Sequence, residues 1–507
     1  MKKYVCSILT ILCITFGFGA FVACEGNEPP PAVLLDAPTN LAMKYHWVLD
    51  WYAVQNADSY VITLNTGETY ETEETQLDMQ FLSPGETYTI SVYAKGATNE
   101  IVSAPSCLTL TMPAVSEGLT YRLIENGTAY AVSGKDFVGA GMVVFPDYVD
   151  GIPVTSISSN CFSSSEKENI TGLRLPQKLE SISGNAFSGT NVEKVVLPNS
   201  LKEIYGKAFA ETKLTEITIP ESVTTIKTYA FQDCASLSQV TMLADAPKLG
   251  RNVFDGTAWL DAQPSGFVYA GNVLYCHKGN FSKNSHFDCA TLADATIADG
   301  AFAGCRNLTS VDIPADIRWG EYTFLDCVDL KTVNLAEGLT EIPNHTFEGC
   351  SKITQVEFPS TLKKIGNGAF KDAGFRIVVF PDTVTEVGAY AFDCPDTLQG
   401  VIISENIVSL GTVAYAQQAH YWAVVPLPNT TVSYKEVLPY SCFKTIYVKA
   451  SMDELLAACE ADAEFKEFCS TILFNTLRAY AYSEDPPTED GNYWHYDTDG
   501  VTPIVWA

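Results

Sequence analysis

Six histidines are the first residues to weigh for chemistry: His46, His277, His286, His345, His420 and His495. None lies in an HExxH pair, and none has a nucleophile at a readable spacing, although a triad assembles in space and not along the chain. Cys276, His277, His286 and Cys289 form the one local His/Cys cluster, at a spacing that matches no common zinc site. Carboxylate pairs abound, as 60 acidic residues require. Without a cleft to hold two of them at a fixed separation, they do not make a glycosidase. GxSxG, P-loop and GxGxxG motifs are absent from the sequence. The expectation is a non-enzymatic chain, with catalytic residues none, metal none and cofactors none.

The composition narrows the partners. A formal net charge of −29 over 507 residues repels nucleic acid, because binding there depends on cationic side chains that displace counterions. With 47% hydrophobic residues the chain is not an acidic disordered tail. Its length calls for two or three folded units.

The element that must position any functional surface is a repeat. Phe187, Phe209, Phe231 and Phe254 stand 22, 22 and 23 residues apart, and Phe302, Phe324, Phe347, Phe370 and Phe392 stand 22, 23, 23 and 22 apart. Apolar residues recur at fixed offsets after each ring, as in Leu308, Val311, Ile313 and Ile317, then Leu330, Val333, Leu335, Leu339 and Ile342. A period in the low twenties marks a leucine-rich-repeat solenoid. One coil is too thin to enclose its own apolar side chains, so coils must stack. The ending of the Leu-x-x-Val-x-Ile stretch alternates as a short strand does. Proline after it (Pro198, Pro220, Pro314, Pro359, Pro381) lacks a donor N–H and stops the strand. Cys234, Cys305, Cys327 and Cys350 follow a repeat phenylalanine by three residues, where Thr190, Thr212 and Thr257 sit in other coils. A ladder of buried free thiols is expected there, with disulfides between stacked coils as the alternative.

Phrases such as Leu214-Thr-Glu-Ile217-Thr-Ile219-Pro220 and Leu308-Thr-Ser-Val311-Asp-Ile313-Pro314 resemble the BspA-like leucine-rich repeats of bacterial surface proteins, over roughly residues 119 to 475. Residues 36–113 resemble a fibronectin type III domain, with Trp51 matching its core tryptophan and Tyr88 its corner tyrosine. Phe21-Val22-Ala23-Cys24 resembles a bacterial lipobox, with acidic Glu25 and Glu28 following as in surface-exported Bacteroidetes lipoproteins. The apolar run before Cys24 is otherwise long enough for an uncleaved anchor.

These readings predict a multidomain chain. An all-β fibronectin type III-like sandwich precedes a right-handed leucine-rich-repeat solenoid with short parallel strands and a C-terminal capping helix. The expected order is a signal peptide at 1–23, lipidated Cys24 and a Pro-rich tether at 24–35, the sandwich at 36–113 and a solenoid cap at 114–160. The solenoid follows at 161–450, with a hairpin island about 255–290, then a capping helix at 451–475 and an aromatic, acidic tail at 476–507. The resemblance implies a lipid anchor in the outer membrane, cell-surface display and adhesion to a protein ligand on a host or neighbouring cell. The membrane would be touched through the lipid only, and a monomer is expected.

The candidate binding face comprises the outward residues beside the strands: Thr215, Glu216 and Thr218; Thr309, Ser310 and Asp312; Lys331, Thr332 and Asn334; and Thr354, Gln355 and Glu357. Small polar side chains suit a wide hydrogen-bonded contact, although for any single one of them a solvated strand face is the favoured reading. A glycan partner is the second reading and would use Trp259, Tyr269, Tyr275, Trp422 and Trp494 as exposed aromatic platforms. A structural spacer is the third.

Overall fold

The computed structural model describes residues 35–411 apart from 45–46, 98–101, 163–166, 293–294, 395–396 and 404–405. Beyond 411 it describes 421–425, 443–450, 454, 457–458, 460, 478–483, 493–496 and 503–505. The signal segment, Cys24, the tether, and most of the expected capping helix lie outside the described residues. The chain divides into two compact units, Met1–Leu201 with Thr212–Ile217, and Lys202–Glu211 with Thr218–Ala507.

The first unit opens with seven antiparallel strands: β1 (Ala42–Lys44), β2 (Val48–Asp50), β3 (Ser59–Leu64), β4 (Thr69–Thr72), β5 (Gln76–Asp78), β6 (Thr87–Lys95) and β7 (Ser106–Thr111). They form two sheets, ordered β1-β2-β5 and β4-β3-β6-β7. In β6 every second residue is buried, so Tyr88, Ile90, Val92 and Ala94 face a core shared with Leu49, Ile62 and Leu77. Trp51 is buried edge-on against Tyr60, with ring centroids 5.2 Å apart. The Tyr88 hydroxyl accepts a hydrogen bond from the Ser83 N–H at 3.1 Å, tying the strand to the loop before it.

Parallel pairing begins in the same unit. Gly141–Val144, Ile170–Arg174 and Lys194–Val195 form a parallel sheet, and Ile152–Phe162 pairs in parallel with Ala129–Gly134. Val144 belongs to the sandwich core. Arg174 is fully buried and ties the two parts together. Its guanidinium donates to the carbonyls of Gln80, Leu82 and Phe145 at 3.1, 2.9 and 3.0 Å, and to both oxygens of Asp147 at 2.8 and 2.7 Å. A buried charge needs such partners to offset its lost hydration.

In the second unit a coil carries an extended segment, a turn, a second short segment and a buried phenylalanine; the first segment is a regular strand at Leu308–Ile313 and Thr332–Leu335 but not at 354–358. The short strands align in parallel, as in Glu341–Ile342, Lys364–Ile365 and Glu386–Val387. The carbonyl of Pro359 accepts the Leu362 N–H at 3.0 Å, and that of Pro381 accepts the Val384 N–H at 3.1 Å. The phenylalanines stack face to face. Phe209 and Phe231 are 5.3 Å apart at 1°, and Phe324 and Phe347 are 5.5 Å apart at 3°. Phe370 continues the row, 5.3 Å from Phe347 and 5.2 Å from Phe392.

The long gap in the array is bridged by a different ring. A hairpin of Gly266–Ala270 and Val273–Lys278 occupies it, preceded by the short helix Ala258–Asp261. Tyr275 from that hairpin is buried, 5.5 Å from Phe254, and its hydroxyl accepts from the Phe254 N–H at 2.9 Å while donating to Asp255 at 2.9 Å. In the preceding regular coil the Phe231 N–H instead donates to the carbonyl of Val253, so a side-chain hydroxyl replaces a backbone partner where the repeat is interrupted.

The tail is part of a sheet, a role the sequence reading did not assign. Arg478–Tyr482 pairs in parallel with Phe443–Val448, and Tyr493–Tyr496 and Pro503–Val505 extend the same sheet. Trp494 is fully buried among Tyr447, Tyr482 and Tyr496. Among the described residues no helix is long and apolar enough to cross a membrane.

Candidate functional site

The candidate face is best formed on three parallel strands of the second unit: Ser285–Asp288, Leu308–Ile313 and Thr332–Leu335. Their register places Phe287, Val311 and Val333 in line, all buried. Side chains alternate across a strand, so the residues between them form two outward rows. One row is His286, Ser310 and Thr332; the other is Asp288, Asp312 and Asn334.

Hydrogen bonds run along each row, and one contact crosses between them. His286 Nδ1 lies 2.8 Å from Ser310 Oγ, and His286 Nε2 lies 3.3 Å from Asp312 Oδ2. Asn334 Nδ2 donates to Asp312 Oδ1 at 2.6 Å. Thr309 turns aside and donates to the Ser285 carbonyl at 3.0 Å. Serine, histidine and aspartate together are the parts of an acyl-transfer site. Here they lie on an open strand face, with the His286 side chain 52% exposed. The strand N–H groups are engaged in the ladder and do not converge on an oxyanion position. The arrangement suits a prearranged hydrogen-bonding surface.

The other predicted face residues are distributed differently. Lys331 is exposed beside Thr332. Thr354, Gln355 and Glu357 are exposed in the following coil, in a stretch without regular strand structure. In the first unit Glu216 pairs with Lys194 at 2.8 Å, and Thr215 is exposed next to it. Thr218 is exposed in the second unit. His286 and Asp288 belong to the face, yet the sequence reading passed over them because their coil follows the interruption and lacks the phenylalanine that sets the register.

The four-residue His/Cys cluster disperses. His277 stacks on Phe281 at 4.0 Å, His286 joins Asp312, and Cys289 is buried. Among the described residues no group of three or more His, Cys, Asp or Glu side chains is placed to hold a metal ion.

The repeat cysteines are free thiols in the core. Cys234, Cys327, Cys350 and Cys394 each donate to the carbonyl of a phenylalanine about one coil back, Phe209, Phe302, Phe324 and Phe370, at 3.0 to 3.2 Å. Thr190 and Thr257 donate instead to Phe187 and Phe254, three residues back in their own coil, at 2.8 and 2.6 Å. Burial pushes the Cys350 and Cys394 thiols up to about 12. These are structural donors, far from nucleophilic at neutral pH.

Two aromatics expected to be exposed are not. Trp494 is fully buried and Tyr275 is buried against Phe254. Trp259 is half-buried between those two rings, 5.1 Å from Phe254 and 6.1 Å from Tyr275. Tyr269 is exposed, and the side chain of Trp422 lies outside the described residues. Their apolar faces fill the interrupted coil and the tail sheet, which is why they are withdrawn from solvent.

Residues 154–264 and 295–421 match the BspA type leucine rich repeat region, in 6 copies. Over the matched residues the coils are similar to BspA-type leucine-rich repeats. No curated protein matches the sequence. Among solved structures, a leucine-rich repeat protein from Bacteroides ovatus shares 22% identity over 65% of this chain and 98% of that one, with a TM-score of 0.29. The pneumococcal vaccine antigen PcpA shares 17% over 72% and 97%, with a TM-score of 0.34. A leucine rich cell surface protein from Faecalibacterium prausnitzii shares 19% over 57% and 93%, with a TM-score of 0.27. The segment between the two matched stretches holds the Tyr275 hairpin.

Proposed function

We propose that this chain is a lipid-anchored surface protein whose BspA-type repeats bind another protein, the reading compatible with that repeat family. Cys24 would carry the lipid in the outer membrane, the seven-stranded domain would be a fibronectin type III-like stalk, and residues 451–475 would close the last coil as a helix. The observation that carries the binding reading is the pair of outward rows on the three aligned strands, each hydrogen-bonded along its length through His286 and Ser310 or Asn334 and Asp312, with His286 in contact with Asp312 between them. Side chains fixed in this way lose little further rotamer freedom on binding. The partner is a protein of a host or neighbouring cell surface.

The experiment is an array of host-surface and matrix proteins read beside an array of polysaccharides. Capture of a protein, lost when Asp312 and Asn334 become alanine, supports the reading. Capture of polysaccharides alone would replace it with the glycan reading, whose aromatic platform is reduced by the burial of Tyr275 and Trp494.

A further inference from the structure

The outward rows sort into hydrogen-bond donors and acceptors, and the sorting bears on what they receive. An ionised carboxylate only accepts. The His286 nitrogen that faces Asp312, Nε2 at 3.3 Å from Oδ2, is therefore the one that carries hydrogen. In the neutral ring the other nitrogen is then bare, and Nδ1 accepts from the Ser310 hydroxyl at 2.8 Å. Asn334 turns one amide hydrogen on Asp312 Oδ1 at 2.6 Å. His286, Ser310 and Asn334 thus each direct a donor along the face at a neighbouring side chain. Protonation of the ring would turn Nδ1 into a donor and release only the Ser310 hydrogen.

The acceptors are placed differently. Asp288 and Asp312 are register partners on adjacent parallel strands, one strand spacing of about 4.8 Å apart at the backbone. Asp288 is exposed, and the Asp312 side chain is 42% exposed. Asp288 Oδ1 accepts the Ala290 N–H at 2.8 Å. A carboxylate offers about four acceptor sites, more than the bonds to Ala290, His286 and Asn334 occupy on the two. The same row reaches Glu357 by spacing, 23 residues after Asn334 and exposed. Lys331 stands one coil on from Thr309, the position that turns aside from the rows.

We propose that this face receives a basic segment of the partner protein, with an arginine or lysine side chain donating to Asp288 and Asp312 together. The proposal rests on the protein-binding reading and adds the chemistry of the contact. A face whose own donors are turned on one another is complementary to a group that brings donors and positive charge. A guanidinium, planar and forked, can bond two carboxylates at once.

The test uses the full chain with nitrogen-15-labelled histidine, titrated with the blocked peptide acetyl-Arg-Gly-Arg-amide and with its uncharged citrulline analogue. The His286 ring signal, assigned by its loss in His286→Gln, should show hydrogen on Nε2 in the neutral ring. It should saturate with the arginine peptide at a concentration about fivefold lower than with the citrulline peptide. Asp288→Asn, which keeps an acceptor for Ala290, and Asp312→Asn should each remove most of that difference. Asp382→Asn deletes the same charge from an exposed turn of another coil and should leave the difference intact. Equal response to the two peptides, hydrogen on Nδ1 alone, or equal loss in Asp382→Asn overturns the proposal. So does a difference retained in both Asp288→Asn and Asp312→Asn. A captured protein whose binding is unchanged by Asp288→Asn condemns this contact alone, whereas failure to capture any protein on the array condemns the reading beneath it.

Discussion

The Cys350 thiol donates its hydrogen to the carbonyl of Phe324, 3.1 Å away in the preceding coil. The same bond recurs at Cys234, Cys327 and Cys394, so the thiols act as rungs between coils and not as disulfide halves. A small buried donor solves a specific problem: it satisfies a carbonyl beside a large ring without adding bulk.

The first prediction concerns pH. The Cys350 thiol is pushed from its ordinary 9.0 to about 12 by burial. The unfolded chain therefore releases this proton first, and the stability held by the neutral thiol is intact below pH 9 and lost as pH rises toward 12. Thermal unfolding followed from pH 8 to 11 should show a falling midpoint, with a shallower fall in Cys350→Ala. That variant should cost roughly 1 kcal/mol at neutral pH from the lost hydrogen bond. In peptide-resolved alkylation of the native protein, exposed Cys107 should react while Cys234, Cys327 and Cys350 stay unmodified until denaturant is added.

A second prediction tests the ring column. Phe347 is fully buried and stacks on both Phe324 and Phe370. Phe347→Ala should destabilise the second unit by about 3–5 kcal/mol, measured by denaturant unfolding. Phe347→Leu should cost less, because it leaves a smaller cavity.

A third prediction tests the junction inside the first unit. Arg174→Met leaves Asp147 without its guanidinium, and removal of one partner of a buried pair costs about 3–5 kcal/mol. Calorimetry should show the sandwich and the first parallel strands unfolding together in the parent and separately in the variant. A single unchanged transition would assign Arg174 no linking role.

Much of this architecture could be read from spacing, and the reasons are physical. A ring every 22 or 23 residues is a signal that only stacked coils satisfy, so Phe209 to Phe392 placed themselves. The alternation of Val311 and Ile313 with polar neighbours likewise marked Ser310 and Asp312 as outward. What could not be read depends on contacts distant in sequence. Arg174 resembles any surface arginine until the carbonyls of Gln80 and Leu82 meet it. Tyr275 and Trp494 look like exposed platforms because neither sits in the repeat register, yet each fills a hole that the register leaves. His286 joined the face for the same reason in reverse: its strand pairs correctly although its coil lacks the phenylalanine.

The fourth prediction lies in the sandwich. Asp78 accepts from the Gln80 N–H at 2.8 Å, yet burial raises its carboxyl from 3.8 to about 6. A carboxyl raised on folding disfavours the folded state once ionised, so this part of the chain should gain stability as pH falls from 7 toward 4. Asp78→Asn should raise the unfolding free energy at pH 7 by roughly 1–2 kcal/mol and flatten that pH dependence.

The most direct measurement is the affinity of the full chain for a protein captured on the array, compared between the parent and Thr332→Arg. Thr332 is exposed between Ser310 and the next coil, so a long charged side chain there should leave the unfolding midpoint unchanged while obstructing the face. The account predicts at least a tenfold loss of affinity, about 1.4 kcal/mol. Undiminished binding by Thr332→Arg, and by the Asp312→Ala/Asn334→Ala double variant, would contradict it.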